Sequence, residues 1–531
     1  MAGAVEIERL LSEGFAALNA GRPEEAARLC RRILALDRAC VQGHFLVGLA
    51  ASEMKDLKTA ASAFGSVTRL DPQHAAAWAQ LARVFMRLGQ PGRAEKALTE
   101  ARKAETADAA VEDLIGIVAS LLGDQRQAKR WYARAASRAP ERPAYGVNLA
   151  SALMFLGETT EAEAVLRGVL SAHGDIAQAH WLLSSLKKAE DRTRADALMA
   201  KANRAGDAPS KAFYAYAAGK EYEDCGEWGA AFAAFDAGAR AKRSIVEYDE
   251  AAEETMFRAL TETFTPEWAG RQTKGCEDAS PIFVVGQPRT GTTLIERIIT
   301  SHSMVESAGE LQQFGLSVRR LSKGAGRERW SEEAVRASAE IDMKALGEEY
   351  LRVTAPMRGA SPRFVDKLPG NYLHVPLILK ALPQARIVHL TRHPLDSCFA
   401  SFKQLFAEAY YHSYDQQEMA RHHVRYAKLM AHWRALFPGR FLDISYEETV
   451  SDLEPNARRL IAFLELDWEP ACLSFHQQSA SVATASALQV REKAHTRSVG
   501  RWRRYGDALA PMRAALAEAG LVGPVLNERN L

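Results

Sequence analysis

"VVGQPRTGTTLIERII", residues 284–299, follows the apolar run Ile282–Val285 and carries Gly286 and Gly291 at the GxxxxG spacing of a phosphate-binding loop. Such a loop turns backbone N–H groups inward around an anion. The helix that follows adds the positive end of its dipole. The lysine that an ATP-binding loop places after the second glycine is absent. Thr292 and Thr293 stand there instead, and the basic residue, Arg289, lies inside the loop beside Thr290. A kinase or ATPase needs that lysine on the β- and γ-phosphates, with a magnesium held by a Ser/Thr and an acidic residue. Its loss argues against both. Arg289 can offer charged hydrogen bonds worth about 1.5–3 kcal/mol each, and the threonine hydroxyls can add neutral ones. A strand–helix turn with no ligand would not need an arginine, two threonines and two spaced glycines together.

The text around this loop alternates short β-rich runs (Ile282–Val285, Arg363–Asp366, Arg386–Leu390, Arg440–Ile444) with amphipathic stretches such as Thr292–His302 and Pro376–Leu382. That alternation predicts an α/β domain with a mostly parallel sheet and helices on both faces. Ligands of such sheets collect at the carboxyl ends of the strands. A second anion grip is expected at one of these ends. In "ARIVHLTRHPLDSCFASF", residues 385–402, Arg392 closes a strand just before a helix that starts at Pro394. An ion pair with Asp396 is the plainer alternative for this arginine.

"PIFVVGQPRTGTTLIERII" resembles the 5′-phosphosulfate loop of sulfotransferases that use 3′-phosphoadenosine 5′-phosphosulfate (PAPS). Its P-R-x-G-T-T-L form is similar to the tyrosylprotein sulfotransferases in particular. The resemblance covers residues 280–510 and implies PAPS as co-substrate, with no metal. It implies cofactor binding by Gly286, Arg289, Thr290, Gly291, Thr292 and Thr293 at the 5′ side, and by Arg392 at the 3′-phosphate. The family places a serine eight residues after that arginine. Position 400 is alanine here, which leaves Ser401 or Ser397 for the role. "HTRSVGRWRRYGDAL", residues 495–509, is similar to the segment that folds over the nucleotide, with Arg497, Ser498 and Trp502 in the comparable stretch. Sulfonate transfer to a hydroxyl needs a base and a cation at the leaving oxygen. The resemblance implies Glu310, in "SHSMVESAGELQQFG", as the catalytic base, with Glu306 and His302 as competitors. It implies catalytic roles for Lys367 and Arg289 at the transferring group. Lys367 precedes Leu368-Pro369 where the small-molecule enzymes of the family carry a histidine, which favours the glutamate type.

Upstream the text is alanine-rich and periodic. Ala26, Ala60, Ala94, Ala128 and Ala162 are each 34 residues apart, and small residues at Gly14, Gly48, Ala82, Gly116 and Ala150 repeat at the same interval. Turns fall at Gly21, Lys55, Gly89, Gly123 and Gly157, and Pro72 and Pro140 stand where second helices must stop. Paired helices pack closely where residues are small, so these five units predict an α superhelical array that resembles tetratricopeptide repeats. A sixth unit near 177–210 is degenerate; a seventh, with Gly219, Gly226 and Ala231, is displaced by one residue. The array is expected over 1–245, a helical connector and linker over 246–280 (including the polar run 271–280), and the sulfotransferase domain over 281–531. A protein or peptide partner in the repeat groove is expected, with self-association as the alternative.

Composition bounds the rest. At 531 residues the chain needs more than one core. A net charge of +2 gives no global pull toward nucleic acid, so any anion site must be local. The six cysteines are scattered without a C-x-x-C pair, which predicts reduced thiols and a cytoplasmic setting. The first residues, MAGAVEIERLLSEG, carry charges where a signal peptide needs an apolar core, and no apolar run of membrane-spanning length occurs. The histidines other than His302, among them His422 and His423, show no metal-ligand spacing and are expected to be structural or exposed. The combined expectation is a PAPS-dependent sulfotransferase of the EC 2.8.2 type acting on an acceptor hydroxyl, peptide tyrosine among the candidates. A repeat scaffold with an inactive nucleotide domain and an atypical P-loop kinase are the rivals.

Overall fold

The computed structural model describes residues 2–322, 331–478 and 489–523. The chain divides into two compact units, Met1–Leu156 with Val353–Met357, and Gly157–Arg352 with Arg358–Leu531.

The first unit is a row of helices from Ala2–Asn19 to Pro143–Leu156. The periodic alanines are at its packing centre: Ala26, Ala60, Ala94 and Ala128 are all 0% exposed. The facing small residues exist to make room for rings. A Cβ on Gly48 would lie 2.5 Å from the Phe64 ring, and one on Gly116 would lie 2.6 Å from the Tyr132 ring. The turns between helices use left-handed backbone, at Gly21, Gly89 and Gly123, with Lys55 (φ 60°) as the one that is not glycine among these four. The helices Leu57–Leu70 and Gln125–Arg138 stop just ahead of Pro72 and Pro140.

The second unit starts with further helices of the same style. Gly219 lies against Phe235, again with a Cβ approach of 2.6 Å, and Ala231 is 0% exposed. These helices share one core with the domain that follows: Tyr216 and Phe235 belong to the same buried cluster as Phe399, Phe402, Trp502 and Leu509. The Tyr216 hydroxyl donates to the Phe402 carbonyl at 2.9 Å. Glu223, at the end of helix Ala208–Asp224, is 8% exposed and gathers three donors: Lys403 Nζ at 2.5 Å, Arg501 Nε at 3.0 Å and the Tyr505 hydroxyl at 2.6 Å.

Five strands follow: β1 (Pro281–Gly286), β2 (Val305–Ser307), β3 (Arg363–Asp366), β4 (Arg386–Thr391) and β5 (Phe441–Ser445). They pair in parallel in the order β2-β3-β1-β4-β5. Four match runs expected from the sequence. β2 is three residues long and too short for a periodicity to reveal. β1 is buried throughout and central, as its unbroken apolar text requires. The chain leaves β1 for the edge strand β2, comes back through β3 on the same side and crosses to β4 on the other, so the crevice beside β1 is the switch point at which such sheets bind ligands. Among the described residues no helix is long and apolar enough to cross a membrane.

Candidate active site

The loop leaves β1 at Gly286, whose added Cβ would stand 3.0 Å from the Leu390 carbonyl oxygen of β4. Gly291 has φ 107°, and a Cβ there would come within 2.6 Å of the Tyr446 ring. Both glycines are therefore demanded by close approach. Gly291 caps helix Thr292–Thr300, and Thr292 and Thr293 occupy its buried first turn. Between the glycines, Arg289 also takes the left-handed conformation (φ 65°), a costly one for a side-chain-bearing residue. Its Nη2 donates to Gln489 Oε1 at 3.0 Å. Thr290 spends its hydroxyl on the Gln287 carbonyl at 2.7 Å and so shapes the loop from within.

The segment after β4 holds the loop from outside. Ser397 donates to Gln287 Oε1 at 3.0 Å, Ser401 to the Pro288 carbonyl at 3.1 Å, and Arg392 Nη1 to the Arg289 carbonyl at 2.8 Å. Ser401 is wholly buried, so its hydroxyl acts on the loop backbone. Arg392 also sends Nη2 to the Ser498 carbonyl at 2.8 Å and lies 4.6 Å above the Tyr446 ring, while its Nε is buried without a partner. Asp396 takes no part in an ion pair with Arg392. It accepts instead from the backbone N–H groups of Gly500 (2.6 Å) and Trp502 (3.0 Å), and Trp502 stacks on His393. The 498–502 segment is thereby fixed beside the carboxyl end of β4. Arg497 points to Glu492 at the exposed surface. Burial, then the neighbouring charge of Arg392, pushes Arg289 down to about 10, so it remains a cation at neutral pH. Two cations brought together at a glycine loop form a local site for an anionic group.

One strand over, Lys367 follows β3 with its side chain 1% exposed. Its ammonium donates to the Glu310 carboxylate, whose side chain is 42% exposed, and lies 3.9 Å from Glu296. The Gly309 carbonyl accepts from Lys367 N–H at 2.9 Å, and the loop that bears Glu310 is pinned further by Leu311 N–H on Asp366 at 3.3 Å. Glu296, on the phosphate-loop helix, accepts from the Ser307 hydroxyl, which in turn accepts from Gly309 N–H at 3.1 Å. Burial pushes the Glu296 carboxyl upward. Its role was not expected from the sequence, where it reads as one polar residue on an amphipathic helix. Of the competing bases, His302 Nε2 lies 2.7 Å from the Asp467 carbonyl, and Glu306 lies against Gly359 with Oε1 buried and without a hydrogen-bond partner among the described residues.

Asp366 beneath this pair is 0% exposed, accepts from the Tyr350 hydroxyl at 2.9 Å and is pushed up by burial to about 8. The native carboxyl thus keeps a proton that the unfolded chain sheds at about pH 4. Stability from this group is complete below that pH and is lost as pH rises toward 8. Asp366→Asn removes the titration. The melting temperature of the variant relative to the parent is expected to climb between pH 5 and pH 8, and a difference that stays constant with pH would rule the assignment out.

Distant histidines also meet. Among the described residues, Glu253, His412 and His422 bring three atoms able to hold a metal ion within 4.8 Å of one another. The expectation that the histidines form no ligand set was drawn from spacing and could not see residues so far apart in the chain. The two imidazole rings lie parallel (10°, centroids 3.6 Å). Glu253 Oε1 accepts from His422 Nδ1 at 2.9 Å, and its other oxygen takes Arg425 at 2.7 Å and Tyr248 at 2.9 Å. Burial and then His422 push His412 down to about 4. His412 Nε2 is buried without a hydrogen-bond partner among the described residues.

Comparison with known proteins gives the domain its family. The sequence profile of the "Sulfotransferase family" matches residues 281–470, and that of the tetratricopeptide repeat matches residues 51–116. An "Uncharacterized protein" of Aquifex aeolicus (strain VF5) is 36% identical over 282 residues, 51% of this chain and 37% of its own length. The chain thus spans little more than a third of that relative. A Caenorhabditis briggsae protein named "Putative protein-tyrosine sulfotransferase" is 25% identical over 232 residues, 42% of this chain and 80% of its own. Among solved structures, the sulfotransferase domain from the curacin biosynthetic pathway is 17% identical, with a TM-score of 0.32, over 46% of this chain and 99% of that one. The chain carries a domain of the sulfotransferase family at residues 281–470, preceded by tetratricopeptide repeats.

Proposed function

We propose that this domain transfers the sulfonate of PAPS to an acceptor hydroxyl. The observation that carries the reading is the convergence, at the carboxyl ends of neighbouring strands, of a double anion grip (Arg289 with its loop, and Arg392) and the Lys367–Glu310 pair. Loop N–H groups, Thr292, Thr293 and Arg289 hold the 5′-phosphosulfate, and Arg392 with the backbone near Ser498 holds the 3′-phosphate. Glu310 takes the acceptor proton as the acceptor oxygen bonds to sulfur. The bond between sulfur and the bridging oxygen breaks, the electron pair leaves on the phosphate, and Lys367 neutralises it. Ser401 and Thr290 hold the loop in shape. Peptide tyrosine as acceptor is supported by the name of the Caenorhabditis relative, and recruitment of that acceptor or of a partner protein is supported by the repeat architecture. The free cysteines accord with a cytoplasmic setting.

Calorimetry with 3′,5′-ADP tests the reading. Binding without magnesium is expected. Arg392→Ala is expected to weaken it about 10-fold or more, the worth of one or two charged hydrogen bonds. Binding of ATP with magnesium in preference to 3′,5′-ADP would replace the reading with a kinase-like one.

A further inference from the structure

Three elements of the second unit meet at one buried point. Helix Glu250–Thr263 brings Glu253, the short helix Tyr411–Tyr414 brings His412, and helix Gln416–Leu436 brings His422. One possible ligand atom of each lies within 4.8 Å of the other two. Both imidazoles approach the same oxygen, Glu253 Oε1, which lies 2.9 Å from His422 Nδ1 and 3.6 Å from His412 Nδ1. Ligand atoms held about 2.0–2.1 Å from a tetrahedral zinc ion stand about 3.3–3.4 Å apart, between these two spacings.

The surroundings are those of a held ligand set. Metal-bound carboxylates and imidazoles are normally fixed by hydrogen bonds to their other polar atom. Glu253 Oε2 takes Arg425 at 2.7 Å and Tyr248 at 2.9 Å, so Oε1 is the oxygen left for the histidines. Arg425 shares its charge with Glu250, at 3.0 Å. His422 Nε2 stands 3.5 Å from the Tyr372 hydroxyl, whose oxygen can accept the ring proton once Nδ1 gives it up to ligate. His412 is less well served. Among the described residues its Nε2 is buried without a partner, and its Nδ1 comes no nearer than 3.6 Å to Glu253. Leaving a buried polar group so is costly, and a metal–nitrogen bond offsets the cost. The rings lie parallel, so His412 must turn about its Cβ–Cγ bond to aim a lone pair at an ion shared with His422. The turn gives up ring stacking but no hydrogen bond closer than the 3.6 Å approach to Glu253.

We propose that Glu253, His412 and His422 bind one zinc ion, with a water molecule as fourth ligand, through side chains that neither the anion grip nor the Lys367–Glu310 pair uses. Two imidazoles with one carboxylate suit zinc, whereas magnesium and calcium take oxygen ligands. The ion clips helix Glu250–Thr263 to helix Gln416–Leu436. In the second of these helices His423 contacts Gln287 of the phosphate loop, and the Tyr426 hydroxyl lies 2.5 Å from His389 of β4. The clip therefore braces the helix that backs the loop.

The test uses the full chain, stripped with EDTA and dialysed free of it. Zinc chloride is expected to bind at one site per chain in calorimetry and to raise the melting temperature, while magnesium chloride does neither. His412→Ala and His422→Gln are each expected to weaken zinc binding at least about tenfold, since loss of an outer-shell partner alone costs about that much. His44→Gln, in the repeats, is expected to leave it unchanged. His412 makes no close hydrogen bond, so its variant should keep the melting temperature of the metal-free parent. Cobalt(II) in place of zinc reads the ligand set directly: the parent is expected to show the visible absorption of a four-coordinate ion, and His412→Ala to lose it. No zinc-dependent change in melting temperature, an equal response to magnesium, or parent-like zinc affinity in both His412→Ala and His422→Gln would overturn the proposal. Neither nucleotide nor turnover enters the readout, so this result stands apart from the sulfotransferase reading.

Discussion

Glu310→Gln is expected to lower sulfonate transfer by about 100- to 10,000-fold, the range over which a positioned general base accelerates a proton transfer. The amide keeps the shape of the side chain and loses only the proton acceptor. Lys367 would still have Glu296 at 3.9 Å, so its buried charge is not stranded and the fold should hold. Affinity for 3′,5′-ADP, gripped by Arg289, Arg392 and the loop, should change by no more than about twofold on the same argument. A fall in transfer with nucleotide affinity intact identifies a group that acts in the chemical step. Labelled donor with a cell extract as the source of acceptors supplies the measurement, and transfer that continues at the parent rate would remove Glu310 from the mechanism. Lys367→Ala makes a poorer first test. It strips the cation from two carboxylates at once, and a loss of activity would not separate chemistry from folding.

How far this site could be read without coordinates depended on how local its determinants are. The glycine loop lies within eight residues, and each glycine is required by a neighbour's approach, so the spacing alone carried the message. Arg392 was legible because it ends a strand, and strand ends of a parallel sheet converge. The direction of Ser401 was not legible: whether it meets a ligand or the Pro288 carbonyl depends on a loop more than a hundred residues earlier. Asp396 reads as a partner for Arg392 four residues away, yet it is taken by the backbone of 500–502. Glu296 gives no signal, because its meaning comes from Ser307 at the end of β2 and Lys367 just after β3. The repeats were legible through their 34-residue period, since each unit packs on its neighbour in the same way. What the period could not show is that Ala231 and Phe235, which keep the repeat pattern, share one core with Phe399, Phe402 and Trp502.

That shared core sets the last expectation. A fragment beginning at residue 281, where the strand-rich text starts, should fail to fold cooperatively, whereas one beginning at residue 157 should melt in a single transition. Cutting at 281 uncovers Phe402, which stacks on Phe232, and Tyr505, which meets Trp228 edge-on, and opens the cluster that Tyr216 and Phe235 share with them. Re-exposing a large apolar side chain costs about 1.5–3 kcal/mol, so these two alone cost about 3–6 kcal/mol. A domain's whole stability is about 5–15 kcal/mol. The cut also deletes Glu223, leaving Lys403, Arg501 and Tyr505 without the acceptor they share. Lys403 is pushed down to about 8 chiefly by burial even with that carboxylate beside it, so losing the carboxylate penalises its charge further. The two losses act on the same segments, 399–403 and 501–512, that hold the phosphate loop and the proposed cover of the nucleotide. Near-ultraviolet circular dichroism and calorimetry of the two fragments decide the matter. A sharp, two-state melt of the 281–531 fragment at the temperature of the 157–531 fragment would show that the hairpin Ala208–Arg243 is a passenger on this core.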